Sequence, residues 1–134
     1  MYNFVRIFKA LGQPTRLKII KLLAEKELCV CELEFILNLT QSAVSQHLRV
    51  LKEVGLVLER REGQWVFYSL DLEALVNQIQ EFPLFLKEDL AQIGALALER
   101  EKLSYLEINP IASCRPRRFT ANKTSLKSDA PEAG

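Results

Sequence analysis

Apolar residues recur at helical spacing along most of the chain. The first stripe follows the i, i+3, i+4, i+7 positions of one helix face and consists of Phe4, Ile7, Phe8 and Leu11. Gly12 ends this helix, and Pro14 suits the first turn of the next one. A third, short helix is predicted to include residues 32–37, with Asn38 at its end.

A fourth helix is predicted to have two contrasting faces. Thr40 is a favourable N-cap, and Gly55 stops the helix. The apolar face consists of Val44, Leu48 and Leu51. A second face at the same helical spacing is polar and consists of Ser42, Ser45, Gln46 and Arg49.

The period of the pattern changes after this helix. Residues 56–60 and 65–70 are rich in β-forming side chains and flank the turn 61–64, which predicts a β-hairpin. Helix returns after Asp71, a suitable N-cap, and Pro83 is expected to separate a shorter piece from a longer one. The longer piece carries an apolar stripe formed by Leu86, Leu90, Ile93 and Ala97.

Two short helices, a turn and a hairpin together make a winged helix-turn-helix. The predicted fold class is therefore mainly α with a β-hairpin wing. Residues 1–108 are predicted to form one domain. Residues 109–134 hold Pro, Ser, Thr, Lys and Arg without periodicity and are predicted to be a flexible basic tail.

The net charge of +1 hides an uneven distribution. Residues 1–70 carry ten Lys/Arg and seven Asp/Glu, residues 71–110 carry three and eight, and residues 111–134 carry five and two. A basic first half suits a phosphate-binding surface, because phosphates respond to local charge. No apolar run approaches a membrane span, and the N-terminus lacks the order of a signal peptide. We therefore expect a cytoplasmic protein without a membrane partner.

The polar face of the fourth helix has the chemistry of a DNA-reading surface. The second helix of a helix-turn-helix enters the major groove, where Gln pairs with adenine and Arg with guanine. Arginines at the hairpin tip suit phosphate or minor-groove contacts. The predicted DNA contacts are Gln41, Ser42, Ser45, Gln46, Arg49, Arg60 and Arg61. A merely solvated face is the alternative, but this stripe has few acids and accompanies a basic wing. His47, the single histidine, suits either a phosphate contact or a structural hydrogen bond.

Cys29 and Cys31 form a candidate metal site. Thiolates favour soft ions such as copper(I), zinc, cadmium, lead, As(III) and Sb(III). Residues at i and i+2 point to nearly opposite faces of a helix but to one face of an extended segment. One ion with metal–sulfur bonds of roughly 2.3 Å holds its sulfurs only about 3.7 Å apart. Chelation should therefore bend or unwind the start of the third helix. The alternative is that both cysteines are small buried hydrophobes.

Cys114 is the third cysteine and lies in the basic tail. Its neighbours Arg115, Arg117 and Arg118 favour the ionised thiolate. Cys114 is a candidate third sulfur ligand, within its own subunit or across a dimer. The alternative is a tail cysteine without a function.

Four segments of the chain resemble the arsenical-resistance repressor (ArsR/SmtB) family. They are residues 27–33, 45–51, 55–57 and 61–68, and the likeness covers roughly residues 3–103. Glu27-Leu28-Cys29-Val30-Cys31-Glu32-Leu33 resembles the inducer box of the arsenic-responsive members. The resemblance implies a homodimeric winged-helix repressor that binds a palindromic operator and releases it when a metal or metalloid binds.

The resemblance also implies a ligand set, from which this chain departs at one position. The two cysteines of the box correspond to Cys29 and Cys31, and a third follows three residues later, where this chain has Glu34. This departure directs attention to Cys114. Zinc-sensing members carry Asp and His ligands on the last long helix, and this chain has Asp89 there but no histidine. The N-terminal cysteines of the cadmium- and lead-sensing members are absent here.

The sequence therefore predicts a repressor that dimerises through its N- and C-terminal helices. It should bind double-stranded operator DNA without a cofactor and release it with As(III) or Sb(III). An alternative keeps the fold but makes oxidants or reactive sulfur species the signal. This alternative needs Cys114 as a partner, because a disulfide between residues i and i+2 is strained. A thiol-dependent reductase is disfavoured, since no Cys-x-x-Cys pair, nucleotide loop or catalytic base accompanies the thiols.

Overall fold

A computed structural model describes residues 3–111 of the chain. In chain order the elements are α1 (Asn3–Leu11), α2 (Pro14–Glu25), β1 (Leu28–Cys29), α3 (Val30–Leu37), α4 (Gln41–Glu53), β2 (Val57–Glu62), β3 (Trp65–Leu70), α5 (Leu72–Lys87) and α6 (Ala97–Ile108). Two short 3-10 turns, Leu90–Gln92 and Gly94–Leu96, lie between α5 and α6. The chain falls into two compact units, one ending at Pro83 and the other beginning at Leu84. A single domain ending at residue 108 stays a prediction.

An apolar core holds the first unit together. Its largest fully buried side chains are Ile7, Ile19, Leu33, Val44, Leu48, Leu51 and Leu56. The predicted apolar stripe of α4 is confirmed, because Val44, Leu48 and Leu51 are each at most 1% exposed. Burying a side chain of this size contributes about 1.5–3 kcal/mol, so the stripe determines which face of α4 turns outward.

The end of α1, the end of α3 and the start of α4 each confirm a sequence signal. The amide of Gly12 donates to the carbonyl oxygen of Phe8 at 2.8 Å, where α1 ends. Thr40 Oγ1 accepts from the amide of Ala43 at 3.2 Å and caps α4. Asn38 ends α3 in the left-handed conformation, with φ of 55°. These local signals set the length of each helix.

The sheet has three antiparallel strands in the order β1-β3-β2. The predicted hairpin is confirmed, and its turn is reduced to Gly63 and Gln64 because β2 continues to Glu62. Gly63 has φ of 62°, a conformation that favours glycine in tight hairpin turns. The additional strand, β1, pairs Leu28 with Tyr68 and Cys29 with Phe67. It therefore attaches the thiol segment to the wing.

The helices after residue 71 differ from the prediction. Pro83 was expected to divide them, but α5 continues through Pro83 to Lys87. A proline weakens a helix without necessarily ending it. The helix ends near Asp89, whose carboxylate caps the first 3-10 turn. The predicted stripe of Leu86, Leu90, Ile93 and Ala97 therefore does not lie on a single helix. No helix within residues 3–111 is both long and apolar enough to span a lipid bilayer.

Candidate nucleic-acid interface and thiol pair

The polar face of α4 is accessible because the opposite face is buried in the core. Gln41, Ser42, Gln46 and Arg49 are exposed, and Ser45 is half-buried. Gln41 Nε2 donates to Ser45 Oγ at 3.0 Å, which orders the first turn of this face. The structure thus brings together the five DNA contacts predicted on this helix.

Helix α3 precedes α4 in the chain and packs against its buried face. The two helices pack against each other, and Leu33 of α3 shares the core with Val44 and Leu48 of α4. Close-packed side chains transmit displacements, because the interior has few voids to absorb them. A change at the start of α3 would therefore alter the position of α4.

His47 makes a structural contact on the buried side of α4. Its Nδ1 lies 3.5 Å from Nη1 of Arg16, and Arg16 Nε donates to the carbonyl oxygen of Ala10 at 2.6 Å. Burial and the positive charge of Arg16 lower the pKa of His47, so its neutral form is favoured. The contact ties α4 to the beginning of α2 and the end of α1. Of the two roles considered for His47, this geometry favours the structural one.

Arg60 and Arg61 are neighbours on β2 but have different surroundings. Arg60 donates to Glu27 twice, from Nε to Oε2 at 3.1 Å and from Nη2 to Oε1 at 2.8 Å. The hydrogen bond from Arg60 lowers the pKa of Glu27. Arg61 is exposed, and its positive charge helps to lower the pKa of Glu59 on the same strand. Because the guanidinium of Arg60 is paired with Glu27, Arg61 is the more available of the two candidate phosphate contacts. DNA binding by either residue stays a prediction.

A second ion pair ties the wing to α4. Lys52 Nζ, in the last turn of α4, donates to Glu59 Oε1 on β2 at 3.0 Å. Tyr68 Oη donates to the other oxygen of the same carboxylate at 3.1 Å. These hydrogen bonds, first from Lys52 and then from Tyr68, lower the pKa of Glu59. They hold β2 and β3 in a defined position beside α4.

The two cysteines lie on either side of the junction between β1 and α3. Cys29 is the last residue of β1 and is buried, with 7% exposure. Cys31 is exposed and lies in the first turn of α3, which begins at Val30, before the segment predicted as helix. The pair is therefore neither fully extended nor fully helical. Because one side chain is buried and the other exposed, we expect that binding one ion with both sulfurs would change the backbone at this junction.

Glu32 stabilises this junction through a hydrogen bond to the backbone of Cys29. Its Oε1 accepts from the amide of Cys29 at 3.0 Å. This backbone hydrogen bond lowers the pKa of Glu32. A carboxylate in the first turn also interacts favourably with the positive end of the helix dipole. The start of α3 is thus held by a contact that spans the thiol pair.

Cys31 lines a surface groove of about 460 Å³. The groove is lined by Lys26, Leu28, Cys31, Glu32, Phe35 and Ile36. Across residues 3–111, no three or more His, Cys, Asp or Glu side chains are arranged to hold a metal ion. Cys29 and Cys31 offer two soft sulfur donors, which suit a thiophilic ion. Cys114, the predicted third donor, lies outside the described residues.

The arrangement defines a class of protein. A supporting helix, a turn, an outward-facing polar helix and a β-hairpin form the winged helix-turn-helix, a fold that reads DNA. Residues 13–58 match the family described as "Bacterial regulatory protein, arsR family". The cadmium resistance transcriptional regulatory protein CadC homolog of Staphylococcus aureus is 42% identical over 93 residues, or 69% of this chain and 76% of that protein. The chain belongs to the arsR family of bacterial regulatory proteins.

Two further comparisons agree with this assignment. Arsenic resistance transcriptional regulator ArsR1 of Pseudomonas putida is 48% identical over 68 residues, or 50% of this chain and 53% of ArsR1. The match thus spans about half the length of that relative. The structure of HlyU from Vibrio cholerae N16961 superposes with a TM-score of 0.51 and 40% identity, covering 60% of this chain and 90% of HlyU. The predicted family and fold class are confirmed, and the family consists of transcriptional regulators, not enzymes.

Glu27 and the ring of Phe67 both contact Arg60, and neither was among the predicted site residues. Glu27 and Arg60 are 33 positions apart, and no local pattern connects them. The β-forming run Leu28-Cys29-Val30 was a signal for an extended segment. Pairing of that segment with β3 is what brings Glu27 within reach of the wing.

Proposed function

We propose that the protein is a homodimeric repressor that releases palindromic operator DNA when As(III) or Sb(III) binds Cys29 and Cys31. The position of the thiols carries this proposal. Cys29 ends β1, and Cys31 lies in the first turn of α3, the helix that supports α4. A ligand that rearranges this junction acts on the DNA-reading surface through one layer of packed side chains. DNA binding itself needs no cofactor.

The chemistry of the thiols suits a metalloid that forms short, strong bonds to sulfur. With bonds of roughly 2.3 Å, one ion draws two sulfurs to about 3.7 Å from each other. In the structure one cysteine is buried and the other exposed, and the amide of Cys29 is hydrogen-bonded to Glu32. An inducer shifts the equilibrium only by its difference in affinity for the two conformations. The rearranged conformation, in which both sulfurs reach the ion, is therefore the released state.

An operator-release titration tests this function. A labelled operator fragment is bound by the full-length protein, and fluorescence anisotropy follows release by arsenite, antimonite, cadmium, zinc or peroxide. Release by arsenite and antimonite at the lowest concentrations is the expected result. Release by peroxide alone would instead favour the redox-responsive repressor. Release by none of the five would contradict both.

Dimerisation has support in the apolar residues that α1 and α6 leave exposed. A palindromic operator requires a protein with twofold symmetry. Val5 of α1 and Leu98, Leu103 and Leu106 of α6 are all more than one-third exposed. Packing of a second copy of the chain against these side chains would remove apolar surface from water.

We predict a dimer at micromolar concentration in sedimentation velocity. Replacing Leu103 and Leu106 together by Glu should shift the protein toward the monomer, because two charges would be buried in the interface. Phe35→Glu is the matched control, since Phe35 is 88% exposed on α3 and lies outside the proposed interface. A folded wild-type monomer at this concentration would disprove the proposed dimer.

Cys114 is proposed as the third sulfur ligand. Two thiolates leave a coordination position open on a trivalent metalloid, and the carboxylate of Glu34 is too hard a donor to fill it well. The entropy lost when a chain segment becomes ordered limits the gain in affinity. Cys114→Ser should therefore weaken arsenite binding modestly and leave release intact. X-ray absorption on the arsenite complex should count three sulfurs in the wild type and two in the variant. An unchanged count would exclude Cys114 from the site.

A further inference from the structure

The sheet links the thiol pair directly to the wing. Cys29 is the register partner of Phe67, and Phe67 is the register partner of Arg60. Directly opposed residues of antiparallel strands project their side chains from the same face of the sheet. One cross-strand row therefore runs from the Cys29 thiol through the Phe67 ring to the Arg60 guanidinium.

Glu27 pairs with Arg60, the last residue of this row. Its carboxylate accepts two hydrogen bonds from Arg60, at 3.1 and 2.8 Å. The guanidinium carbon of Arg60 also lies 4.9 Å from the centroid of the Phe67 ring. A bidentate arginine–carboxylate pair restricts orientation as well as distance. Glu27 precedes Cys29 by only two residues. The segment that supplies one thiol therefore also supplies the carboxylate that pairs with Arg60 of β2.

We propose that Glu27 and Arg60 form a positioning pair that transmits inducer binding from Cys29 and Cys31 to the wing. This inference rests on the proposed function and adds a second route to the one through α3. When chelation draws Cys29 toward Cys31, β1 is displaced and carries Glu27 with it. Arg60 follows, and with it β2, the strand that presents Arg61. One ligand would thus displace both DNA-contacting elements, α4 and the wing.

A purely stabilising role is the competing explanation for the pair. Both side chains are partly exposed, and ion pairs at such positions contribute little to folding stability. The competing explanation predicts a change in thermal unfolding with no change in the response to inducer. The positioning role predicts a changed response to inducer with little change in thermal unfolding. A measurement of coupling, independent of basal DNA affinity, separates the two.

The test compares Glu27→Gln with a matched control, Glu62→Gln. Glu62 also faces Arg60, with Oε2 3.6 Å from Nη1, but it belongs to β2 and cannot transmit a movement of β1. The measured quantity is the ratio of operator Kd with saturating arsenite to operator Kd without it. Couplings carried by intermediate residues typically amount to about 0.5–2 kcal/mol, or roughly 2- to 30-fold. Glu27→Gln should lower the ratio by a factor in this range, while Glu62→Gln should leave it unchanged.

Arg60→Lys provides a second variant, which keeps the charge but loses the bidentate geometry. It should lower the ratio as much as Glu27→Gln does, and the double variant should lower it no further, because both changes break one interaction. Arsenite should also change the fluorescence of Trp65, the single tryptophan and the first residue of β3, in wild-type protein without DNA. This change should shrink in Glu27→Gln while arsenite still binds.

The outcomes distinguish this inference from the proposed function. A wild-type ratio well above one that persists in both Glu27→Gln and Arg60→Lys would overturn the positioning pair alone. A wild-type ratio of one would overturn the arsenite-induced repressor, and the positioning pair with it. Loss of coupling in Glu27→Gln and Arg60→Lys, but not in Glu62→Gln, supports both.

Discussion

Replacing Cys29 and Cys31 together by serine should leave operator binding intact and abolish its reversal by arsenite. In the wild type, arsenite should weaken operator binding by about 5- to 150-fold, the range of typical allosteric coupling. In the double variant the ratio of the two affinities should fall to one, because a serine hydroxyl is a hard donor that binds soft metalloids poorly. Fluorescence anisotropy with a labelled operator measures both affinities.

The Cys114→Ser variant is the matched control for this experiment. It removes one thiol and keeps the junction pair, so it should retain most of the arsenite response. Thermal unfolding of the double variant is also needed, because Cys29 is buried and its replacement by a hydroxyl affects packing. Release of the folded double variant by arsenite would place the sensor elsewhere in the chain.

Replacing Arg49 by alanine should weaken specific operator binding by about 1–3 kcal/mol, or roughly 5- to 150-fold, if Arg49 reads a base. Gln46→Ala should have an effect of the same size. Neither change should alter folding, because both side chains are exposed on the face of α4 opposite its buried stripe. Operator affinity is measured alongside the affinity for a scrambled sequence, so that the loss of specificity is separated from general weakening.

Arg61→Ala is the matched control for the recognition helix. A phosphate contact contributes equally to all sequences, so Arg61→Ala should weaken operator and scrambled DNA alike and reduce the salt dependence by about one counterion. If Arg49→Ala binds the operator as tightly as the wild type does, the DNA-reading face of α4 is wrongly assigned.

Helix α4, the proposed DNA-reading helix, could be predicted from the sequence because every signal that defines it is local. Thr40 caps α4, Gly55 follows its end, and the apolar stripe between them repeats at the helical period. Burial of that stripe then determines the polar face without further information. The hairpin was predictable for the same reason, since a glycine turn separates two runs of β-forming residues.

The prediction for the helices after residue 71 was wrong because it relied on a local signal, Pro83. Pro83 was expected to end a helix, yet α5 continues through it. The effect of a proline depends on whether neighbouring turns compensate the lost hydrogen bond, and the sequence does not reveal this compensation. The break occurs instead near Asp89, whose carboxylate satisfies a backbone amide of the following 3-10 turn.

The sequence by itself determined where the candidate chemistry lies: two thiols near the start of a short helix and a polar stripe on the next one. Only the tertiary structure decided their connections. Strand β1 is two residues long, too short for any periodicity, and it exists because β3 supplies its hydrogen-bonding partners. That pairing brings Glu27 to Arg60 across 33 positions and leaves Cys29 buried while Cys31 stays exposed. Contacts between distant segments depend on strand register and packing, which local patterns do not encode.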